Sequence, residues 1–239
     1  MFFDHKTKLA SIIERDYHLL PVINRFGIKL GFGDLTVEQV CKQNNINQDF
    51  FIQIINTFSF EEYFPEEHLI EFTIKEIVNF LLKSHNFFLE YRLAKMEQIL
   101  KEILKKTDKK DNFKIEILQK FFAEFQKELF EHIRYEEKEI FPYILKINLL
   151  HKQEITEFNT DLFIDDYFKQ HCGVENKISD MKKIFIKYLP HSADNFLAFE
   201  FIELISDFEK DLEKHQRIEE RVLLPKAKKI EQELLNAKN

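Results

Sequence analysis

The chain has 239 residues, which is enough for one sizeable hydrophobic core and a small second module. It contains 27 Phe but only 4 Gly and 5 Pro, a composition that argues against an all-β or loop-rich protein and favours helices. The formal net charge of −7 disfavours nucleic acid and anionic membrane surfaces as partners.

The two cysteines, Cys41 and Cys172, are too few for a disulfide framework or a cysteine zinc site. No uninterrupted apolar run approaches the length needed to span a bilayer. The first sixteen residues place charges inside their only apolar patch, which is not typical of a signal peptide. We therefore expect a cytoplasmic protein with two reduced thiols.

Residues 1–62 differ in character from the rest of the chain, because they contain three of the four glycines. Apolar periodicity predicts short helices there over about 5–26, 36–44 and 47–59. The helices at 36–44 and 47–59 resemble a helix-turn-helix, but the segment 47–57 carries no Lys or Arg, which disfavours DNA binding. We expect a small helical N-terminal domain, followed by a linker at 63–71.

Residues 72–239 contain four long amphipathic segments, at about 72–105, 113–149, 160–188 and 193–235. Ser192 and Asp194 are candidate N-caps of the last segment. Four long helices with short connections predict an all-α fold, an up-down-up-down four-helix bundle.

One motif occurs twice, on the second and fourth of these helices. Residues 132–142 read HIRYEEKEIFP and residues 215–225 read HQRIEERVLLP, which share the pattern H-x-R-x-E-E-x-x-x-x-P. His and Glu at positions i and i+4 lie on one face of a helix, one turn apart. On each of these helices, one imidazole and one carboxylate can therefore contact the same bound ligand or ion.

A further histidine precedes each motif, on the first and third helices. The bundle is thus predicted to contain two copies of one helical hairpin, and four imidazoles with two carboxylates suit a pair of transition metals such as iron, copper, nickel or zinc. The ferritin-like bundles use Glu-x-x-His instead, and no acidic residue lies three positions before any of these histidines. The predicted metal ligands are His85, His132, Glu136, His171, His215 and Glu219.

Several acidic residues near the motifs allow more than one interpretation. Glu128 and Asp211 lie one turn before the motif histidines, where they could accept hydrogen bonds from ligands, carry protons, or face solvent. Glu137 and Glu220 lie about 100° around the helix from the ligand face, which predicts a structural or salt-bridging role. Glu175 follows His171 at i+4, but this copy lacks the second Glu and the Pro, so it is not predicted to be a ligand.

The ligand pattern, with Glu-Glu and a following Pro after each second histidine, resembles the hemerythrin-like cation-binding domain over about residues 72–232. In the bacterial repair-of-iron-centres family, that domain is a four-helix bundle with a non-haem, oxo-bridged di-iron centre. The resemblance implies that His85 and His132 bind one iron and that His171 and His215 bind the other. It also implies that Glu136 and Glu219 bridge the two ions.

Residues 22–56 are similar to the small N-terminal domain of the same family. There a Gly-Ile pair leads into two adjacent cysteines, whereas here Gly27 and Ile28 lead into Gly31, Phe32 and Gly33. The cysteine pair is therefore absent, and Cys41 and Cys172 do not replace it.

The resemblance implies a role in nitrosative or oxidative stress, in which the protein binds or reduces NO or O2 and supplies iron for repair of iron–sulfur clusters. Small gases and iron–sulfur proteins are then the expected partners of a monomer or homodimer. A sensor or binding module without turnover is the alternative, and iron storage or a metal-free structural bundle is a third reading. The sequence leaves open whether the protein is an enzyme.

Overall fold

The computed structural model of the protein describes residues 2–154, 164 and 174–237. These residues are helical with connecting turns and, apart from one isolated bridge between Lys8 and Thr36, show no β-structure. The predicted all-α class is confirmed, while the four-helix bundle arrangement stays a prediction. Within the described residues, no helix is both long and apolar enough to cross a membrane.

The N-terminal segment forms short helices near the predicted positions. They are α1 (Leu9–Arg15), a 3-10 turn (Tyr17–Leu19), α2 (Leu20–Arg25), α3 (Val37–Gln43), α4 (Gln48–Ser59) and α5 (Glu66–Leu69). Thr36 and Gln39 form a capping box at the start of α3. The side chain of Asn47 accepts hydrogen bonds from the first backbone N–H groups of α4, so local polar residues define where both helices begin.

The long helices follow, and three of them contain a π-helical turn. They are α6 (Ile74–Phe87), a π turn (Phe88–Leu93) and α7 (Ala94–Lys106); α8 (Asn112–Tyr135), a π turn (Glu136–Ile140) and α9 (Phe141–His151); α10 (Val174–Tyr188); and α11 (Asn195–Ile218), a π turn (Glu219–Leu223) and α12 (Leu224–Ala237). Asp194 accepts hydrogen bonds from the backbone N–H groups of Phe196 and Leu197, which confirms it as the N-cap of α11. The predicted helix at 160–188 is described only from Val174 onward.

The chain divides into two compact units. The first contains Met1–Ser84, Ile144–Phe158 and Lys214–Asn239, and the second contains His85–Tyr143 and Asn159–Glu213. The boundaries at 84/85, 143/144 and 213/214 fall inside helices rather than in a linker, and the fourth, at 158/159, lies outside the described residues. The predicted organisation of an N-terminal domain at 1–62 and a bundle at 72–239 stays a prediction.

An aromatic cluster holds the first unit together. The ring of Phe26 lies 4.9 Å from that of Phe51 and 5.5 Å from that of Phe80. The guanidinium of Arg25 is buried against Phe58 and Phe80. Ring faces attract cations, so this contact offsets part of the cost of burying the charge.

The described helical segments of the second unit share one hydrophobic core. Phe208 on α11 is fully buried, with its ring 5.2 Å from that of Phe88 and 6.1 Å from that of Phe125. Phe185 and Phe201 form another close pair at 4.5 Å. Twelve phenylalanines among the described residues are buried, and core packing accounts for them.

We expect Phe208→Ala to lower the free energy of unfolding by about 3–5 kcal/mol, because it leaves a cavity where three rings meet. Phe199→Ala on the same helix is the matched control, since Phe199 is 63% exposed, and it should change stability by less than about 0.5 kcal/mol. Urea unfolding followed by circular dichroism measures both. Equal losses in the two variants would contradict this core.

Candidate metal centre

Two histidines converge on one buried carboxylate in the second unit. Nε2 of His132 lies 2.9 Å from Oε1 of Glu136, and Nε2 of His85 lies 3.2 Å from Oε2 of the same residue. His85 and Glu136 are almost completely buried, whereas the side chain of His132 is 26% exposed. The predicted i, i+4 pair on α8 and the predicted histidine on α6 therefore meet at Glu136.

The cluster is strongly polar in an apolar setting, and its charges depend on one another. Burial alone would raise the pKa of Glu136, but the hydrogen bonds and charges of His132 and His85 hold it well below its usual range. Burial alone would lower the pKa of His85, but its contacts with Glu136 and Glu137 raise it. Both shifts favour an ionised Glu136 beside a protonated His85.

Glu137 holds the other nitrogen of His85. Nδ1 of His85 lies 3.0 Å from Oε1 of Glu137, and an ionised carboxylate only accepts hydrogen bonds, so Nδ1–H is the donor. The sequence predicted a structural or salt-bridging role for Glu137 without identifying its partner. In the structure, the partner is the imidazole of His85.

A π-helical turn begins at Glu136 and ends two residues before a proline. Pro142 has no N–H to donate, and its ring would clash with the carbonyl of Lys138 in a regular α-helix. The backbone N–H of Phe141 bonds to the carbonyl of Glu136, five residues earlier, which widens the turn. The ring of Phe141 then lies parallel to the imidazole of His85, at 5.6 Å.

The second copy of the motif lies in the first unit and repeats this local geometry. His215 and Glu219 are both buried, with Nε2 and Oε2 4.0 Å apart. A π turn again begins at the motif glutamate, and the N–H of Leu224 bonds to the carbonyl of Glu219, one residue before Pro225. The sequence repeat is therefore also a repeat of the π turn, with a longer His–Glu separation in the second copy.

Basic side chains of the second motif contact the N-terminal part of the same unit. The guanidinium of Arg217 lies 4.5 Å from the ring centroid of Phe64, and that of Arg221 lies 5.9 Å from it. The ammonium group of Lys214 donates a hydrogen bond to the backbone carbonyl of Phe58. The sequence contained the motif arginine but no signal for its aromatic partner, since Phe64 is distant along the chain.

The other residues that the sequence analysis singled out lie outside the cluster at Glu136 or outside the described residues. His171 and Glu175 lie outside the residues whose side chains the structure describes. Glu128 forms an ion pair with Lys177 at the partly exposed surface, while Asp211 is buried in the second unit. Glu220 accepts a hydrogen bond from Gln216. A role for Glu128 or Asp211 beside the ligands stays a prediction.

The described donor atoms fit a transition metal. His85, Glu136 and His215 are buried and each offers a ligand atom of the kind that such metals bind. Two ligand atoms at right angles, each about 2.1 Å from a metal ion, lie roughly 3 Å apart. The separations of 2.9 Å and 3.2 Å at Glu136 have this size, and Glu137 supplies the outer carboxylate that metal-bound histidines commonly use.

No protein-family model matches the chain, and no curated protein matches its sequence.

We expect the contribution of His85 to stability in the metal-free protein to depend on pH. Because folding raises its pKa above 6.5, this contribution is complete below pH 6.5 and is lost as the pH rises through the folded value. The loss of unfolding free energy caused by His85→Asn should therefore be larger at pH 5.5 than at pH 8.5. Unfolding in urea with a chelator present measures it.

His151→Asn is the matched control, because His151 pairs with Glu233 at the exposed surface and contributes little at either pH. A His85→Asn effect that is equal at both pH values would contradict the charged pair.

Proposed function

We propose that the protein is a hemerythrin-like, non-haem di-iron protein of the repair-of-iron-centres family. Its function would be to bind or reduce NO or O2 under nitrosative or oxidative stress and to supply iron for repair of iron–sulfur clusters. The two motifs would serve one oxo-bridged di-iron centre in a four-helix bundle. The repeat of sequence and of local geometry supports this proposal.

One observation carries the proposal, namely the sharing of the two oxygens of Glu136 between two imidazoles. This arrangement brings His85 and His132 to the same carboxylate, as a single metal ion that binds both histidines would require. Two histidines and one carboxylate are also the donor set of many non-haem iron proteins. The alternative reading is a structural ion pair.

Energetics favour the metal reading over the structural one. Charges taken out of water lose hydration energy, and apolar residues of the same volume often give equal or greater stability. The helices around Glu136 already bury many Phe, Ile and Leu side chains, so their packing does not require a carboxylate there. A polar cluster that adds little to stability is expected where it binds something.

The second iron would use His171, His215 and Glu219. His215 and Glu219 are buried and precede the same kind of π turn as the first pair. By the repeat, Glu220 would hold His171 as Glu137 holds His85. These assignments follow from the correspondence between the two copies, since His171 lies outside the described residues.

If iron is bound, each ferrous ion would supply one electron, so that two NO and two protons give N2O and water. The chain itself would contribute the side chains around Glu136. Phe141 covers one face of His85 and keeps water from it. Glu137 keeps the proton on Nδ1 of His85, which leaves Nε2 for a metal. The partly exposed side of His132 gives a small molecule an approach.

The expected thiol chemistry of the N-terminal domain has no counterpart in the described residues. Gly31 and Gly33 occupy the loop where relatives in the proposed family have cysteines, and Gly31 has a φ of +99°. Burial raises the pKa of the Cys41 thiol to about 12, so it is a poor nucleophile at neutral pH. We therefore assign the proposed activity to the metal ligands.

Metal analysis with an ultraviolet–visible spectrum tests the proposal directly. We expect two irons per chain and the absorption of an oxo-bridged diferric centre, and the diferrous protein should react with NO in a single turnover to yield N2O. A folded protein that stays metal-free after anaerobic incubation with ferrous iron would contradict the proposal. Stoichiometric zinc with no iron uptake would contradict the iron assignment.

We expect Glu136→Ala to lose most bound iron without unfolding, because the apolar core around it remains. Glu139→Ala, in the same π turn but with an exposed side chain, is the matched control and should keep its iron. Iron content and helicity are measured on both variants. Retention of full iron by Glu136→Ala would remove the bridging role.

We expect Glu137→Gln to weaken metal binding about 10–100-fold, because a neutral amide oxygen accepts a weaker hydrogen bond from Nδ1–H of His85 than a carboxylate does. Competition of the apoprotein with a chromophoric chelator for Co(II) measures the affinity. Glu139→Gln is again the control and should have no effect. An unchanged affinity in Glu137→Gln would show that the hydrogen bond does not position the ligand.

A sensor without turnover is the second candidate, and the contacts of the second motif favour it. Arg217 and Lys214 flank the predicted ligand His215 and contact Phe64 and the carbonyl of Phe58. A shift of this helix would therefore reach α4 and the loop that leads into α5. Metal binding should then alter amide hydrogen exchange at residues 58–64, and Phe64→Leu should weaken that response. N2O formation would favour the enzyme.

A further inference from the structure

A second apolar stripe follows the outer side of α8. The inner face of this helix buries Ile115, Leu118 and Phe122 in the core of the second unit. Phe113 and Phe121, one on each side of Ile117 at steps of four residues, are 69% and 43% exposed instead. A solvated helix face is normally polar, so this stripe is unusual for a surface that contacts only water.

The stripe borders a cavity of about 490 Å³ between α8, α10 and the turn that follows α10. Its apolar walls include Ile117, Phe121, Ile184 and Leu189. This volume lies within the range of small-molecule sites, which are mostly apolar with a few polar groups at defined places. The cavity lies entirely within the second unit and includes none of the predicted metal ligands.

The polar groups of the cavity are basic. Lys114, Lys187 and His191 contribute to its lining, and no Asp or Glu does. Lys114 is paired with Asp111 at 3.0 Å, whereas neither Lys187 nor His191 has an ion-pair partner among the described residues. A chain with a net charge of −7 thus presents a locally positive rim on an apolar cavity.

The geometry points to a binding site for a single-chain anionic amphiphile, such as a medium-chain fatty acid. The carboxylate would lie near Lys187 and His191, and the hydrocarbon chain would lie along Ile117 and Phe121. From Phe113 to Phe121 the stripe is roughly 12 Å long. That length suits an extended decanoate chain and is short for docking of an amphipathic helix of several turns.

The volume supports the same occupant. A cavity of about 150 Å³ holds one benzene molecule, so 490 Å³ has room for a hydrocarbon chain of medium length. Each methylene that leaves water contributes roughly a fourfold gain in affinity when fully buried. Affinity should therefore rise with chain length until the cavity is filled.

Isothermal titration of the full chain with decanoate, below its micellar concentration, tests the site. We expect saturable binding of one decanoate per chain and roughly tenfold weaker binding of octanoate. Phe121→Ser should weaken decanoate binding about tenfold. Phe130→Ser is the matched control, because Phe130 is 51% exposed on the same helix and does not line the cavity.

The charged rim is tested separately. Lys187→Gln should weaken binding roughly twofold to fivefold, while Lys183→Gln, on the same helix and paired with Asp180, should leave it unchanged. All four variants change exposed or partly exposed side chains, and circular dichroism confirms that they fold. Absence of saturable decanoate binding, or equal affinity in Phe121→Ser and Phe130→Ser, would overturn the inference.

Discussion

The cost of burying a carboxylate governs the candidate centre. Glu136 is enclosed by apolar helices, and a charged group in such a place persists only if donors compensate its lost hydration. His85 and His132 provide that compensation, one at each oxygen. His85 can compensate Glu136 only if its ring has a fixed orientation. Glu137 fixes that orientation, because it accepts a hydrogen bond from Nδ1 of His85.

Much of the fold could be predicted from the sequence, because long apolar periodicities identify long helices. The pairing of His132 with Glu136 could also be predicted, since a spacing of four residues places both side chains on one helix face. The N-cap role of Asp194 followed from its side chain and position. These features depend on residues that are neighbours along the chain, and such local rules work well in helical proteins.

The features that escaped prediction depend on departures from the regular helix or on partners distant in sequence. Glu137 was placed about 100° from the ligand face on the assumption of an ideal α-helix, and its contact with a histidine on α6 could not be read from spacing. The contact of Arg217 with Phe64 joins residues more than 150 positions apart. The division into two units within continuous helices likewise has no compositional signal.

The π turns have a consequence for how these helices are read and altered. A π turn acts as one residue inserted into an α-helix, so it shifts the phase of every later side chain by about 100°. The apolar residues before Glu136 and those after Phe141 therefore follow two different registers, and so do those on either side of the turn at Glu219. A deletion of one residue inside either turn would remove the inserted residue, so a continuous α-helix could form with the later core residues still facing the core. A deletion after the turn would keep the π turn and rotate the later side chains by about 100°, out of the core. The position of a deletion relative to each motif glutamate and its proline would therefore decide whether the packing is kept.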